Sequence, residues 1–128
     1  MNIVLFIGAL LGFTSVLIGA SADHALKLLL DAKSFAMVMT AIKYHQLYAV
    51  IVTCIGLLLF ACNNKHIIKR LSISAWLFIF GIICFSGGIY LSAITSIKNF
   101  MMLTPIGGCL FMFAWLTLAW CAFVNVGK

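Results

Sequence analysis

The residues that could do chemistry in this chain are few, and they lie beside or within long apolar runs. Asp23 and His24 place a carboxylate next to an imidazole, and a second polar group runs from Tyr44 to Tyr48. Polar groups in apolar surroundings are costly and mark candidate sites. Six such residues form our candidate ligand or structural polar cluster: His24, Tyr44, His45, Ser86, Tyr90 and Thr104.

The Asp23–His24 pair could handle protons, since histidine titrates near neutral pH. Adjacent residues on a helix do not share a face, however, so a capping or interfacial role is favoured. Asp23 and Asp31 are the only side-chain carboxylates, and no nucleophile or metal-binding motif accompanies them. We therefore expect no enzyme, no catalytic residue, no metal and no cofactor, and keep an intramembrane enzyme using His24 with Asp23 as the least favoured alternative.

The polar group of residues 44 to 48 contains two tyrosines and an imidazole. If its helix begins near Ser34, these side chains lie in the outer third of a span, where they can reach lipid headgroups. A structural hydrogen-bonding layer is then slightly favoured over a ligand site.

Glycines at helical spacing indicate close helix packing. Small residues let a neighbouring backbone approach, which is what drives helix association in lipid. Packing within one chain and dimerisation use the same feature, so the pattern does not separate them. The predicted helix-packing residues are Gly8, Gly12, Gly87, Gly88, Gly107 and Gly108.

Composition sets the class of protein. The chain has 128 residues, of which 66% are hydrophobic and 8% charged, and its mean hydropathy is +1.26. A soluble fold of this size exposes too much surface to hide so many apolar residues. The net charge of +6 comes from single lysines and one short cluster, so we expect a lipid bilayer as partner and no nucleic acid. The five cysteines have no metal-ligand spacing and are interpreted as small apolar residues.

The apolar runs predict one domain over residues 1–128, an all-α integral membrane bundle of four transmembrane helices. The first run is expected to be a span and not a cleaved signal peptide, because no lysine or arginine precedes it. A short amphipathic interfacial segment, residues 21 to 35, is predicted between spans 1 and 2. Thr104 followed by Pro105 predicts a capped helix start. The predicted spans are about 3–20, 36–62, 71–95 and 105–124.

The densest positive cluster lies between Asn63 and Arg70, a stretch that we expect to be a break between spans. The positive-inside tendency places this break in the cytoplasm, so both termini are predicted to be cytoplasmic in a bacterial inner membrane. The bias is small, because Lys27, Lys33 and Lys98 fall on the opposite side.

Two motifs resemble a known family. Phe85-Ser86-Gly87 with Tyr90, and Thr104-Pro105 with Gly107-Gly108, are similar to segments of domain of unknown function 423, which includes the eukaryotic transmembrane protein 256. The resemblance covers almost the whole chain and implies a small four-span membrane fold without a settled activity. Tyr48 stands where that family commonly has histidine.

From these observations we expect a non-enzymatic multi-pass inner-membrane protein that packs with itself or with a larger membrane complex, as a structural or accessory component. The alternative is a small transporter, channel or lipophilic-ligand-binding protein with a polar site on the outer side. That alternative requires Tyr44 and Tyr90 to share one site of ordinary ligand size.

Overall fold

Four long helices make up the computed structural model, which describes residues 1–123. Each is long and apolar enough to cross a membrane, counting the short helical turns that extend two of them. Within the described residues there is no strand. The predicted all-α bundle of four spans is confirmed. The helices are α1 (Ile3–Ser21), α2 (Ala32–Ala61), α3 (Lys65–Thr95) and α4 (Leu103–Trp120).

Short helical turns extend two of the spans. A π-helical turn, Ala22–Leu26, and a single α-helical turn, Lys27–Leu29, continue α1. The polar stretch predicted between the first two spans is therefore largely an extension of α1, which buries Ala22 completely and exposes Leu28 and Leu29. A 3-10 helix precedes α4 and another, Cys121–Phe123, follows it. The predicted end of the fourth span, at residue 124, lies outside the described residues.

Helix α3 begins at Lys65, so the positive cluster that we expect between spans 2 and 3 is helical over most of its length. The reason is a helix cap that precedes the charged residues. The side-chain oxygen of Asn64 accepts hydrogen bonds from the backbone N–H groups of His66 and Ile67, at 2.9 and 3.3 Å. These bonds satisfy donors that would otherwise lack a partner at the helix start.

Helices α2 and α3 form the centre of the bundle, with α1 packed mainly on α2 and α4 mainly on α3. Consecutive helices are antiparallel, so the bundle has two ends. We call them the Asn64 end, where α2 joins α3, and the Asp31 end, where α1 joins α2 and α3 joins α4. Apolar side chains fill both halves: Val52, Phe78, Ile82 and Phe111 belong to the larger core cluster, and Val38, Ile42 and Ile89 to a smaller one.

Polar side chains fasten helix ends at the Asn64 end. The amide of Asn2 donates a hydrogen bond of 2.7 Å to the carbonyl of Gly56, which ties the start of α1 to α2. Arg70 donates to the carbonyl of Trp120 at 2.6 Å, and its guanidinium carbon lies 4.1 Å from the centre of the Trp120 ring. A cation near the C-terminal end of a helix also complements the helix dipole. The first contact joins α1 to α2, and the second joins α3 to α4.

Candidate functional site

His45 and Tyr90 form a polar pair inside the bundle. His45 Nδ1 lies 3.3 Å from the Tyr90 hydroxyl oxygen, and the two ring centres are 6.0 Å apart. The side chains meet because helical side chains lean toward the N-terminus of their own helix, and α2 and α3 are antiparallel. Tyr90 thus leans toward the Asn64 end and His45 toward the Asp31 end. Either group can donate the hydrogen bond, depending on the imidazole tautomer.

The other ring nitrogen of His45 is buried without a hydrogen-bond partner. The residue is only 5% exposed, and the carbonyl of Leu11 on α1 approaches the ring without reaching hydrogen-bonding geometry. A buried polar atom without a partner carries a desolvation cost of about 1–3 kcal/mol. His45 therefore keeps one ring nitrogen that can still form a hydrogen bond.

The depth of His45 differs from the expectation. It is the fourteenth of the 30 residues of α2, so it lies near the middle of the helix and not in its outer third. The helix begins at Ala32, where Asp31 accepts a hydrogen bond from the backbone of Ser34. At 1.5 Å per residue, His45 is about 20 Å along the axis from that start.

Ser86 contacts another helix but is not available to a ligand. Its side chain is fully buried and donates a hydrogen bond of 2.9 Å to the carbonyl of Ala41 on α2. Ser74, one of the residues that our sequence reasoning missed, makes an equivalent bond of 2.9 Å to the carbonyl of Ala114 on α4. The central helix α3 is therefore joined by one buried hydroxyl to each neighbour.

Thr104 does not cap α4. The helix begins one residue earlier, at Leu103, because a 3-10 turn, Lys98–Met102, leads directly into it. The Thr104 hydroxyl oxygen is buried and has no hydrogen-bond partner. It faces α3 at Gly88, where an added Cβ would lie 3.5 Å from that oxygen. The predicted cap is thus replaced by a close contact between α4 and α3.

Tyr44 and His24 lie apart from the His45–Tyr90 pair. Tyr44 packs against Phe85 on the side of the bundle that α4 covers, with ring centres 4.8 Å apart, and remains 39% exposed. His24 is exposed on the π-helical turn. Neighbouring residues on a helix differ by about 100° in direction, which sends Tyr44 and His45 to different sides of α2. Of the six predicted cluster residues, only His45 and Tyr90 are brought into contact as a polar pair.

Three of the six predicted helix-packing glycines lie against another part of the chain, and the other three do not. A Cβ added at Gly8 would lie 2.8 Å from the backbone nitrogen of Thr53, and one at Gly107 would lie 2.8 Å from the Cα of Phe85. A Cβ added at Gly88 would lie 2.8 Å from the carbonyl oxygen of Phe100, in the 3-10 turn that precedes α4. Around the other three no atom of another helix lies within 4 Å of an added Cβ: Gly12, Gly87 and Gly108.

Two further glycines that we did not single out from the sequence also lie at helix contacts. A Cβ at Gly56 would lie 2.6 Å from the Cα of Leu5, and one at Gly81 would meet the Phe111 ring. Their spacing gave no signal, because each stands alone among large apolar residues. Close approach of α1 to α2, and of α4 to α3, requires them.

Among the cavities that open on the described part of the bundle, three are lined by Tyr44, Tyr90 or Asp31. Tyr44, Tyr48 and Phe85 line a groove of 340 Å³ beside α4. Tyr90 and Ala93 help to line an apolar cavity of 270 Å³ between α1, α2 and α3. A cleft of 510 Å³ at the Asp31 end has lysines in its wall.

The chemistry available at the pair is hydrogen bonding. Among the described residues no group of three histidine, cysteine or acidic side chains could hold a metal ion. The five cysteines are free, and all are exposed or partly exposed. His45 can accept or donate one more hydrogen bond, and Tyr90 supplies a hydroxyl at the edge of an apolar cavity.

Comparison with known proteins agrees with this architecture. A family model described as "Protein of unknown function (DUF423)" matches residues 18–108. The chain belongs to this family. It is 37% identical over 122 residues to a "UPF0382 membrane protein" of Haemophilus influenzae, covering 95% of this chain and 94% of that one. No solved structure matches it.

More distant relatives carry the same kind of description. A "UPF0382 membrane protein" of Staphylococcus saprophyticus is 33% identical, with 92% of this chain and 94% of the relative covered. A "UPF0382 inner membrane protein" of Escherichia coli is 25% identical, with 88% of this chain and 82% of the relative covered. This DUF423 chain is therefore a multi-pass membrane protein from a family without a described activity.

Proposed function

We propose that this DUF423 protein is a non-enzymatic component of the bacterial inner membrane that associates laterally with a second copy of itself. The proposal rests on the open space beside Gly87 on α3. An added Cβ at this position has no atom of another helix within 4 Å, although the adjacent Gly88 is tightly packed. A helix surface with a glycine facing lipid leaves room for another backbone.

The surface around Gly87 is apolar and unoccupied by the chain's own helices. Phe80, Ile83 and Leu91 share this side of α3 and are 52%, 54% and 44% exposed. Their large side chains rise on either side of the glycine along the helix. Two copies in the same membrane orientation would place Gly87 against Gly87 across a two-fold axis, as closed symmetric dimers require. We call this surface the Gly87 face.

Two observations support the membrane and the orientation. The Escherichia coli relative is described as an inner membrane protein. The Asn64 end carries Lys65, Lys69 and Arg70 in adjacent turns, whereas the lysines at the Asp31 end are spread over three segments. The positive-inside tendency then favours the Asn64 end, where α1 begins and α4 ends, as the cytoplasmic end.

The test is subunit counting in vesicles by single-molecule photobleaching of a labelled chain. The unaltered protein is expected to give two-step traces whose fraction rises with the protein-to-lipid ratio. Gly87→Leu should reduce that fraction strongly, because its side chain fills the space between the backbones. Gly12→Leu is the matched control, since Gly12 is equally open but lies on α1. One-step traces from the unaltered protein at every ratio would refute self-association.

A second candidate function is binding of a lipophilic ligand at a site that includes Tyr90 but not Tyr44, so the shared site expected from the sequence is not the one proposed. It is favoured by the apolar cavity beside Tyr90, whose hydroxyl also contacts His45. A ligand there would bind mainly through apolar contacts and gain one hydrogen bond from the pair. This candidate predicts that protein extracted from membranes in mild detergent retains a small molecule detectable by native mass spectrometry. Ala93→Leu, which narrows the cavity, should lower the retained amount.

A further inference from the structure

Two cavities at the Asp31 end adjoin each other and differ in character. The cleft of 510 Å³ lies between the start of α2 and the end of α3. The apolar cavity of 270 Å³ lies deeper, and Ala93 belongs to the wall of both. A polar space at the membrane surface beside an apolar one below it matches the shape of an amphiphile.

The polar cleft carries a surplus of positive charge. Lys33, from the first turn of α2, and Lys98, from the 3-10 turn before α4, both line it. The one carboxylate in its wall, Asp31, already accepts a hydrogen bond from the backbone as the cap of α2. Ser34, Ser92 and Ser96 add hydroxyl donors, and the rest of the wall is apolar, from Leu29, Leu30, Met37, Ala93 and Met101. This set of donors and cations suits a phosphate group.

The apolar cavity is accessible from the lipid. Leu17 and Ile94 form part of its wall and are 53% and 75% exposed, so its rim lies at the outer surface of the bundle. A hydrocarbon chain could enter sideways without crossing water. Tyr90 lies in the same wall and connects the cavity to His45 through the hydrogen bond between them.

We propose that the Asp31 end binds one anionic phospholipid, with its phosphate between Lys33 and Lys98 and part of one acyl chain in the apolar cavity of 270 Å³. This inference rests on the lipophilic-ligand candidate above and names its ligand class. It does not require a dimer, because every residue named in the two cavities belongs to one chain. The two lysines select the headgroup, and the cavity holds the chain.

The test measures binding of phosphatidylglycerol and phosphatidylcholine to the full chain in a neutral detergent by native mass spectrometry. Each lysine near an anionic lipid contributes about a fivefold gain in affinity, so the pair should favour phosphatidylglycerol about thirtyfold. Lys33→Gln with Lys98→Gln should remove most of that preference. Lys65→Gln with Lys69→Gln is the matched control, since both lysines are exposed at the opposite end.

Two further variants change the charge of the polar cleft and the space available to the lipid. Asp31→Asn keeps a capping side chain and removes the negative charge in the cleft, so it should tighten phosphatidylglycerol binding several-fold. Ala93→Leu should weaken both lipids, and circular dichroism checks that the bundle remains folded. Glycerol phosphate without acyl chains should bind far more weakly than the lipid; equal binding would show a free-phosphate site and overturn the proposal.

The outcomes distinguish this inference from the function on which it rests. If Ala93→Leu abolishes binding while the double lysine variant leaves the lipid preference unchanged, the protein binds a lipophilic ligand without recognising its charge. The anionic-lipid proposal would then be wrong, and ligand binding would stand. If neither lipid binds at a detectable level, both are wrong.

Discussion

Gly107 and Gly108 are adjacent on α4, and the same substitution should have opposite effects at the two positions. A methyl group at Gly107 would lie 2.8 Å from the Cα of Phe85 and 2.6 Å from its Cβ. A methyl group at Gly108 would have no atom of another helix within 4 Å, because Gly108 lines the groove of 340 Å³. Gly107→Ala must therefore push α4 away from α3, whereas Gly108→Ala only fills space.

The magnitude follows from the atoms that are met. Adding a methyl group to a filled core costs about 1–3 kcal/mol, and here the closest atoms belong to the backbone, which cannot rotate aside. Alanine gains up to about 1 kcal/mol over glycine in helix propensity, but this gain is common to both variants and cancels in the comparison. Gly107→Ala should be less stable than Gly108→Ala by about 2–3 kcal/mol.

The assay is reversible unfolding in lipid bicelles, followed by circular dichroism as a denaturing detergent is added. Gly108→Ala should unfold at or above the midpoint of the unaltered protein, and Gly107→Ala clearly below it. Free energies of unfolding that agree within about 0.5 kcal/mol, the size of an ordinary surface effect, would show that Gly107 is not packed tightly against Phe85.

Three other predictions follow from single contacts. Ser86→Ala removes the buried hydrogen bond to Ala41 and should lower the free energy of unfolding by about 0.6–2 kcal/mol in the same bicelle assay. Arg70→Gln loses the contact with the Trp120 ring, and should raise the accessibility of that tryptophan to an aqueous fluorescence quencher. Hydrogen bonds with Ser34 hold the pKa of the Asp31 carboxyl below its usual value of 3.8. The Asp31 cap therefore stabilises α2 fully when the pH is above 3.8, and this stabilisation is lost as the pH falls through the lowered pKa. The unaltered protein should unfold more easily in acid, whereas Asp31→Asn should not show this change.

The number of spans could be predicted from the sequence because each apolar run is long enough to cross a bilayer. The ends of the helices were harder to predict, since they depend on single side chains that cap the backbone. The start of α3 at Lys65 is set by the Asn64 side chain, while the charged residues after it resemble a loop in composition. Thr104 illustrates the converse, because a cap-like residue lies one position inside its helix.

The polar pair could be predicted only as residue types. The sequence placed His45 and Tyr90 among six candidates, but their contact depends on how α2 and α3 are rotated about their axes. The same rotation decides that Gly88 is packed and Gly87 open. Lys33 and Lys98 are 65 positions apart and meet at one cleft because the ends of two helical hairpins lie together at the Asp31 end. Their positive charge bore on the orientation of the chain in the membrane but gave no indication that the two lysines share a cleft.

Photo-crosslinking in native membranes tests the central claim, which is self-association through the Gly87 face. A photoreactive amino acid would replace Ile83, one helical turn from Gly87, or Leu47, which is 52% exposed on α2. Illumination is expected to give a product of twice the chain mass from position 83 and little from position 47. A product of that mass from neither position, or an equal amount from both, would contradict it.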